Sequence, residues 1–487
     1  MIFAKNTKNQ SGFLLVEIML AAAVAVCAIT AAGLMAFAGQ TMSVDSELDA
    51  QALEMAQRLI EEQRILAGDD FRRVNSTSTT EGIFSGRVDV SRHDFFVKSI
   101  SAAVNWNIDG RNRQTEISAL ITDYGNTAGN DTCDSNLTGD WSNPQIKHFD
   151  FAILSEIASS TISDIDAYKG KLYVVMEESA TTTDPTMFIF NIIDPVNPKK
   201  FDNSNIKNRL AAITLNQNYA FTANITSVNQ LQIMDVKNPD NPVVASKLEL
   251  KNKITGEDCK GTGKNIFYRE GYVYLGTSND NNCPEFNVID IKNINNPIVL
   301  GNFEIGAGIN DIYIKGDYAY LATADSAREL IILDIADPSA PVLFAVYNLL
   351  PDQTNWGYGK SIKVIGNKIY FGRTYIANSP EFYLFNHNQS LISVLDNYSD
   401  NGAPFSVNDL IIRNNLAFIL AGSASQGGSL RILNIADPAN IVEEKIISLP
   451  GVADGVGGVA MDCEGNYLYV ASIDGEGKSY VSIITAP

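Results

Sequence analysis

Hydrophobic and polar positions fall into three regimes along the chain. From Phe13 to Phe37, 25 residues carry one charge, Glu17. As a helix at about 1.5 Å per residue, this run would match the ~30 Å hydrocarbon core of a bilayer. An acid inside such a segment is costly and marks function. From Val44 to Leu66, the apolar residues Val44, Leu48, Leu53, Met55, Leu59, Ile60 and Leu66 recur mostly at steps of three and four, with charged residues between them. That spacing predicts a continuing amphipathic helix, with Gly68 as its C-cap. Beyond it, the period shortens to that of strands.

Residues 82–125 read as strands, one ending near Trp106 and the next running from Arg113 to Tyr124, with Asp109-Gly110 as the hairpin turn between them. A small antiparallel sheet would cover the apolar stripe of the helix. Residues 126–140 belong to a stretch rich in Gly, Asn, Asp and Thr, and read as a linker.

From residue 141 a repeat takes over. An aromatic recurs at Tyr173, Phe221, Tyr274, Tyr320, Tyr370, Phe418 and Tyr469, spaced 48, 53, 46, 50, 48 and 51 residues apart. A second run follows each, ending at Asn191, Asp235, Asp290, Asp334, Asn386 or Asn434 and, in the last unit, at Thr485, with a turn proline after it at Pro198, Pro242, Pro297 and Pro341. Four short strands per unit at this period predict a seven-bladed β-propeller. The last unit stops after its third strand. The segment 144–151 before the first unit supplies the missing strand, closing the ring and removing exposed edges.

Two resemblances follow from these residues. Gly12, Phe13 and Glu17, behind the basic leader residues Lys5 and Lys8, resemble the type IV prepilin and pseudopilin signal. That resemblance implies cleavage after Gly12, methylation of Phe13, and filament assembly through Glu17 beside a neighbouring subunit's N-terminus. Tyr318-Ala319-Tyr320 and Leu330 to Ile335 look like the LVIVD repeat, a propeller-forming family, which implies a fold and no activity. The expected fold class is therefore mainly β: a pilin-like long α-helix with a small antiparallel sheet, then a seven-bladed propeller. The expected division is leader 1–12, transmembrane and filament helix 13–68, small sheet 69–125, linker 126–140 and propeller 141–487.

Composition narrows the picture. A net charge of −20 without a Lys/Arg cluster argues against nucleic acid. Cys27 sits in the apolar run. The other four cysteines lie in a region expected to be exported, and the propeller topology places Cys259 with Cys283 and Cys133 with Cys463 as disulfide pairs.

No catalytic motif stands out. His93, His148 and His387 are far apart, and Asp235, Asp290 and Asp334 read as caps on the proline turns. Neither Asn279 to Asn282 nor Asp474-Gly475-Glu476 has calcium-loop spacing, and the Gly-rich stretch Gly451 to Gly458 lacks the lysine and following helix of a phosphate cradle. No metal or cofactor is expected. The sequence thus predicts a non-enzymatic minor pilin or pseudopilin, held in the bacterial inner membrane by one helix before export in a filament. It would present a propeller for adhesion or for binding a surface glycan or protein. Its expected partners are other pilin subunits and prepilin peptidase. The alternatives are a membrane-anchored propeller enzyme, a hydrolase or lyase, and a scaffold outside any filament.

Overall fold

The computed structural model describes residues 11–69, 74–94, 97–108, 110–122, 132–133, 139–155, 160–179, 185–201, 206–349, 357–388, 391–400, 405–422, 428–450 and 457–487. Some side chains within these ranges fall outside the description, including those of residues 11–18, His93 and Cys133. Gly12, Phe13 and Glu17 therefore lie on helical backbone, and their side chains are outside the described set.

The chain forms two compact units. The first holds helix α1, Ser11–Asp69, and a four-stranded antiparallel sheet of Thr77–Glu81, Phe84–Asp94, Val97–Ile108 and Arg111–Thr122. Ala52, Met55, Ala56, Leu59 and Ile60 form the buried stripe of α1. On the sheet, every second residue of the third strand is buried: Ile100, Ala102, Val104 and Trp106. Each large apolar side chain so covered is worth about 1.5–3 kcal/mol. Gly86 lets helix and sheet approach, since a Cβ there would stand 2.8 Å from both Leu59 Cδ1 and Met55 Cε. Ion pairs Arg58–Glu81 (2.6 Å) and Arg113–Asp45 (3.0 Å) flank the packed stripe.

In the second unit, seven sheets form a closed ring. Their innermost strands are Ser160–Ala167, Leu210–Leu215, Gly263–Arg269, Ile309–Lys315, Gly359–Ile365, Ser406–Arg413 and Gly458–Gly465, each beside the next and the last beside the first. Second and third strands lie between neighbouring sheets and are buried on both faces. The recurrent aromatics Tyr173, Phe221, Tyr274, Tyr320, Tyr370, Phe418 and Tyr469 are all core residues there. In the seventh blade the outer strand is Gln145–Asp150, paired antiparallel with Ser479–Thr485. A helix absent from the sequence reading, α2 (Phe151–Ser155), follows it, and Phe151 is fully buried in the first blade's core.

The expected fold class is corrected to a mainly β molecule of eight sheets with a propeller-like ring. What made the N-terminal helix a pilin helix was a membrane-crossing apolar half. Among the described residues, no helix is long and apolar enough to cross a membrane, which also overturns the single-pass inner-membrane location. The apolar stripe in the second half of α1 is spent on its own sheet.

Candidate functional site

The ring encloses an axial cavity of about 310 Å³, lined by the innermost strand of every blade. Each of these strands carries a register shift against its neighbour near its start. The extra residue at the shift is Ser163, Ala211, Lys264, Asn310, Lys360, Asn408 or Val459 in blades one to seven, and all seven line the cavity. A bulge re-aims side chains and is a usual neighbour of functional sites.

In blades one, four and six, the shifted residue and the aspartate after it fasten that blade to the next. Ser163 Oγ donates to Leu210 O (2.6 Å), Asn310 Nδ2 to Gly359 O (2.7 Å) and Asn408 Nδ2 to Gly458 O (2.7 Å). The following carboxylates accept backbone N–H groups from the same neighbours: Asp164 from Ile213 (2.8 Å), Asp311 from Ile362 (2.8 Å) and Asp409 from Met461 (2.9 Å). Their other oxygens accept the N–H of the next residue, Ile165, Ile312 and Leu410. Burial raises all three: Asp164 well above the usual carboxylate range, Asp311 above it, and Asp409 to about 6. With both oxygens engaged, these acids serve the joints between blades.

Three residues beyond the shifted position in each strand comes a ring of Asp166, Thr214, Phe267, Tyr313, Lys363, Ile411 and Asp462, all lining the cavity. Burial works against the charge on Lys363, but Asp311 and Asp409, with Asp462 behind them, hold its ammonium above the ordinary lysine value. Among the described residues it makes no direct ion pair, and its Nζ stands 5.9 Å from the Tyr313 ring centroid. Asp462 accepts the N–H of Ala167 at 2.6 Å. A cation and two carboxylates thus line one small cavity, from residues up to 296 positions apart (462 − 166).

The residues singled out in the sequence lie elsewhere. Cys259 and Cys283 are joined by a disulfide. Cys463 is also disulfide-bonded; Cys133, whose backbone pairs with Gly465, has its side chain outside the described set. Asp280, beside the Cys259–Cys283 bond, forms with them a cluster of metal-ligand type. Its carboxylate accepts the N–H groups of Lys260, Gly261 and Asn282, and both sulfurs are held in the bond.

Asp235, Asp290 and Asp334 each accept the N–H two residues on, capping their turns. Asp474 is engaged by the N–H groups of Glu476 and Lys478. His148 Nδ1 pairs with Ser482 Oγ at 2.7 Å, and His387 is fully buried against Tyr320 Oη at 3.1 Å, so neither lines the cavity. Residues 451–456 of the Gly-rich stretch lie outside the described residues. A wider groove on the first unit is rimmed by Arg58, Arg64, Glu61 and Glu81, which pair with one another.

Comparison with known proteins finds the LVIVD repeat over residues 308–349, the fourth blade, and no pilin signal accompanies it. No curated protein matches the chain. Among solved structures, a periplasmic gluconolactonase of Pseudomonas aeruginosa is similar at 12% identity and TM-score 0.47, over 61% of this chain and 87% of that one. A virginiamycin B lyase of Staphylococcus aureus is similar at 10% identity and TM-score 0.48, over 71% of this chain and 100% of that one. At such values neither activity carries over to this chain.

The readings of the chain as a pilin subunit and as a non-enzyme are corrected toward the propeller alternative, whereas processing at Gly12 and Phe13 and assembly at Glu17 stay expectations on residues whose side chains lie outside the described set. The physical reason lies in the ring. Asp166, Lys363 and Asp462 are far apart along the chain and come to line one cavity only when the blades close.

Proposed function

We propose that the protein is a propeller enzyme of hydrolase or lyase type, with its site in the axial cavity. The observation that carries this reading is Lys363: an ammonium kept charged by carboxylates around it, without a direct partner among the described residues, facing a cavity of about 310 Å³. Ester hydrolysis and β-elimination both develop negative charge on a substrate oxygen. A fixed cation in a small, partly desolvated cavity stabilises that charge without reorganising. Asp166 and Asp462, lining the same cavity, are the carboxylates placed to take a proton.

The test assays the full-length chain against aryl esters for hydrolysis and uronate disaccharides for elimination. Turnover of one class is expected, with Lys363→Met lowering kcat by ~10²–10³, the usual cost of losing an oxyanion donor, at unchanged circular dichroism. No turnover of either class, or a variant as active as the parent, would overturn the reading.

A further inference from the structure

The shifted position at the head of each innermost strand has three uses around the ring. In blades one, four and six it holds Ser163, Asn310 and Asn408, whose side chains are spent on the next blade's carbonyl. In blades two and seven it is apolar, Ala211 and Val459. In blades three and five it is Lys264 and Lys360, either side of Asn310. Nothing in the blade joint calls for lysine, as the other five blades show.

Among the described residues, neither Lys264 nor Lys360 makes a hydrogen bond or ion pair. The two face the same cavity, and burial together with the charge of Lys264 lowers Lys360 from its ordinary value. Two unpartnered ammonium groups sharing one cavity repel each other until an anion sits between them.

The carboxylates nearby do not supply that anion. Asp164, Asp311 and Asp409 point both oxygens at backbone N–H groups of the blade joints. Lys363 lies three residues beyond Lys360, roughly 10 Å along an extended strand. Recognition at one end of the cavity and reaction further in are therefore separate places.

We infer that the cavity takes a substrate bearing a compact oxyanionic group, a carboxylate or a phosphate, which Lys264 and Lys360 hold together at the head of the innermost strands. This inference rests on the enzymatic reading for the word substrate, but not for the binding itself. Acids deeper in the ring would repel the same group, so it would stay at the lysines and direct the rest of the molecule toward Lys363.

The experiment titrates inorganic phosphate into the full-length chain by calorimetry at constant ionic strength, with magnesium chloride as a separate titrant. Saturable phosphate binding is expected. Lys264→Met and Lys360→Met should each weaken it by ~10-fold or more, as loss of a charge-assisted hydrogen bond does. The double variant should abolish it, arginine at both positions should restore it, and Lys363→Met should retain it.

Absence of saturable phosphate binding, equal affinity in the double variant, or magnesium binding in place of phosphate would overturn the inference. Phosphate binding lost in the double variant, in a chain that turns over no ester or uronate, would uphold this site and remove the enzymatic reading. Turnover that depends on Lys363, with phosphate indifferent to both lysines, would do the reverse.

Discussion

Asp409 joins the sixth blade to the seventh by accepting the backbone N–H of Met461 at 2.9 Å, while its other oxygen takes that of Leu410 at 2.7 Å. The same carboxylate is pushed up to about 6, chiefly by burial, so the bond is made by an acid that resists ionisation. Asp311 and Asp164 repeat the arrangement at two other joints. Closure of the ring and the potential inside it are thus set by the same residues.

A pH dependence follows for Asp409. A folded-state value of about 6 lies above the ordinary carboxylate value of about 3.9. The folded chain therefore holds that proton more tightly than the unfolded one. The stabilisation is complete below about pH 4 and is lost as pH rises through 6. Asp409→Asn removes the titration along with one acceptor. Urea denaturation should find the variant less stable than the parent at pH 4, and the gap should narrow steadily by pH 7. A gap independent of pH would contradict the assignment.

Ring closure rests on apolar packing as well. Trp141 is buried beside Phe418 with ring centroids 4.8 Å apart, edge to face, and the neighbouring Asp140 N–H donates to the Pro487 carbonyl at 3.4 Å. Trp141→Ala should cost about 3–5 kcal/mol, the range for deleting a buried large aromatic. Loss of the closing strand should then show as earlier proteolysis near residues 141–150 than elsewhere. Uniform cleavage along the chain would count against a role in closure.

The Cys259–Cys283 bond closes a loop of 24 residues' separation within the third blade. Constraining the unfolded chain over that length is worth about 3 kcal/mol. The paired variant Cys259→Ser with Cys283→Ser should lose about that much stability in urea, and dithiothreitol should bring the parent down to the same midpoint only if the Cys463 bond stays intact. Mass mapping of free thiols at each midpoint checks which bond has opened.

The repeat was legible because burial on both faces forces one aromatic to recur in each blade, from Tyr173 to Tyr469, and all seven are core residues. The strand closing the seventh blade, Gln145–Asp150, was legible for the same reason: an unpaired last unit leaves an edge to fill. The joints were also written in the chain. Asp164, Asp311 and Asp409 each stand nine residues before the aromatic of their blade, after Ser163, Asn310 and Asn408. That offset passes unnoticed when acids are sought in pairs or motifs. Lys363 had no local signal at all, since the charged and aromatic groups around it come from blades four, six and seven. The apolar N-terminal run pulled the reading the other way. Gly12, Phe13 and Glu17 at its start resembled a known signal, yet they carried no information about the ring.

Glu329 and Arg373, from the fourth and fifth blades, form an ion pair of 2.5 Å with both side chains essentially inaccessible. Glu329 also accepts the N–H of Leu349 at 3.0 Å, and burial still raises its carboxyl above the usual value despite Arg373. Removing one partner leaves a charge stranded in the interior, which costs about 3–5 kcal/mol, whereas removing both with shape retained is often close to neutral. Arg373→Met should therefore destabilise the chain more than Arg373→Met combined with Glu329→Gln. Without Arg373, Glu329 should rise further and take up a proton as pH falls, so the single variant should recover stability toward pH 5 while the double variant should not. Urea midpoints for the four proteins at pH 5 and pH 8 measure both effects. Additive losses at both pH values would mean that Glu329 and Arg373 contribute separately and that their contact holds nothing in place.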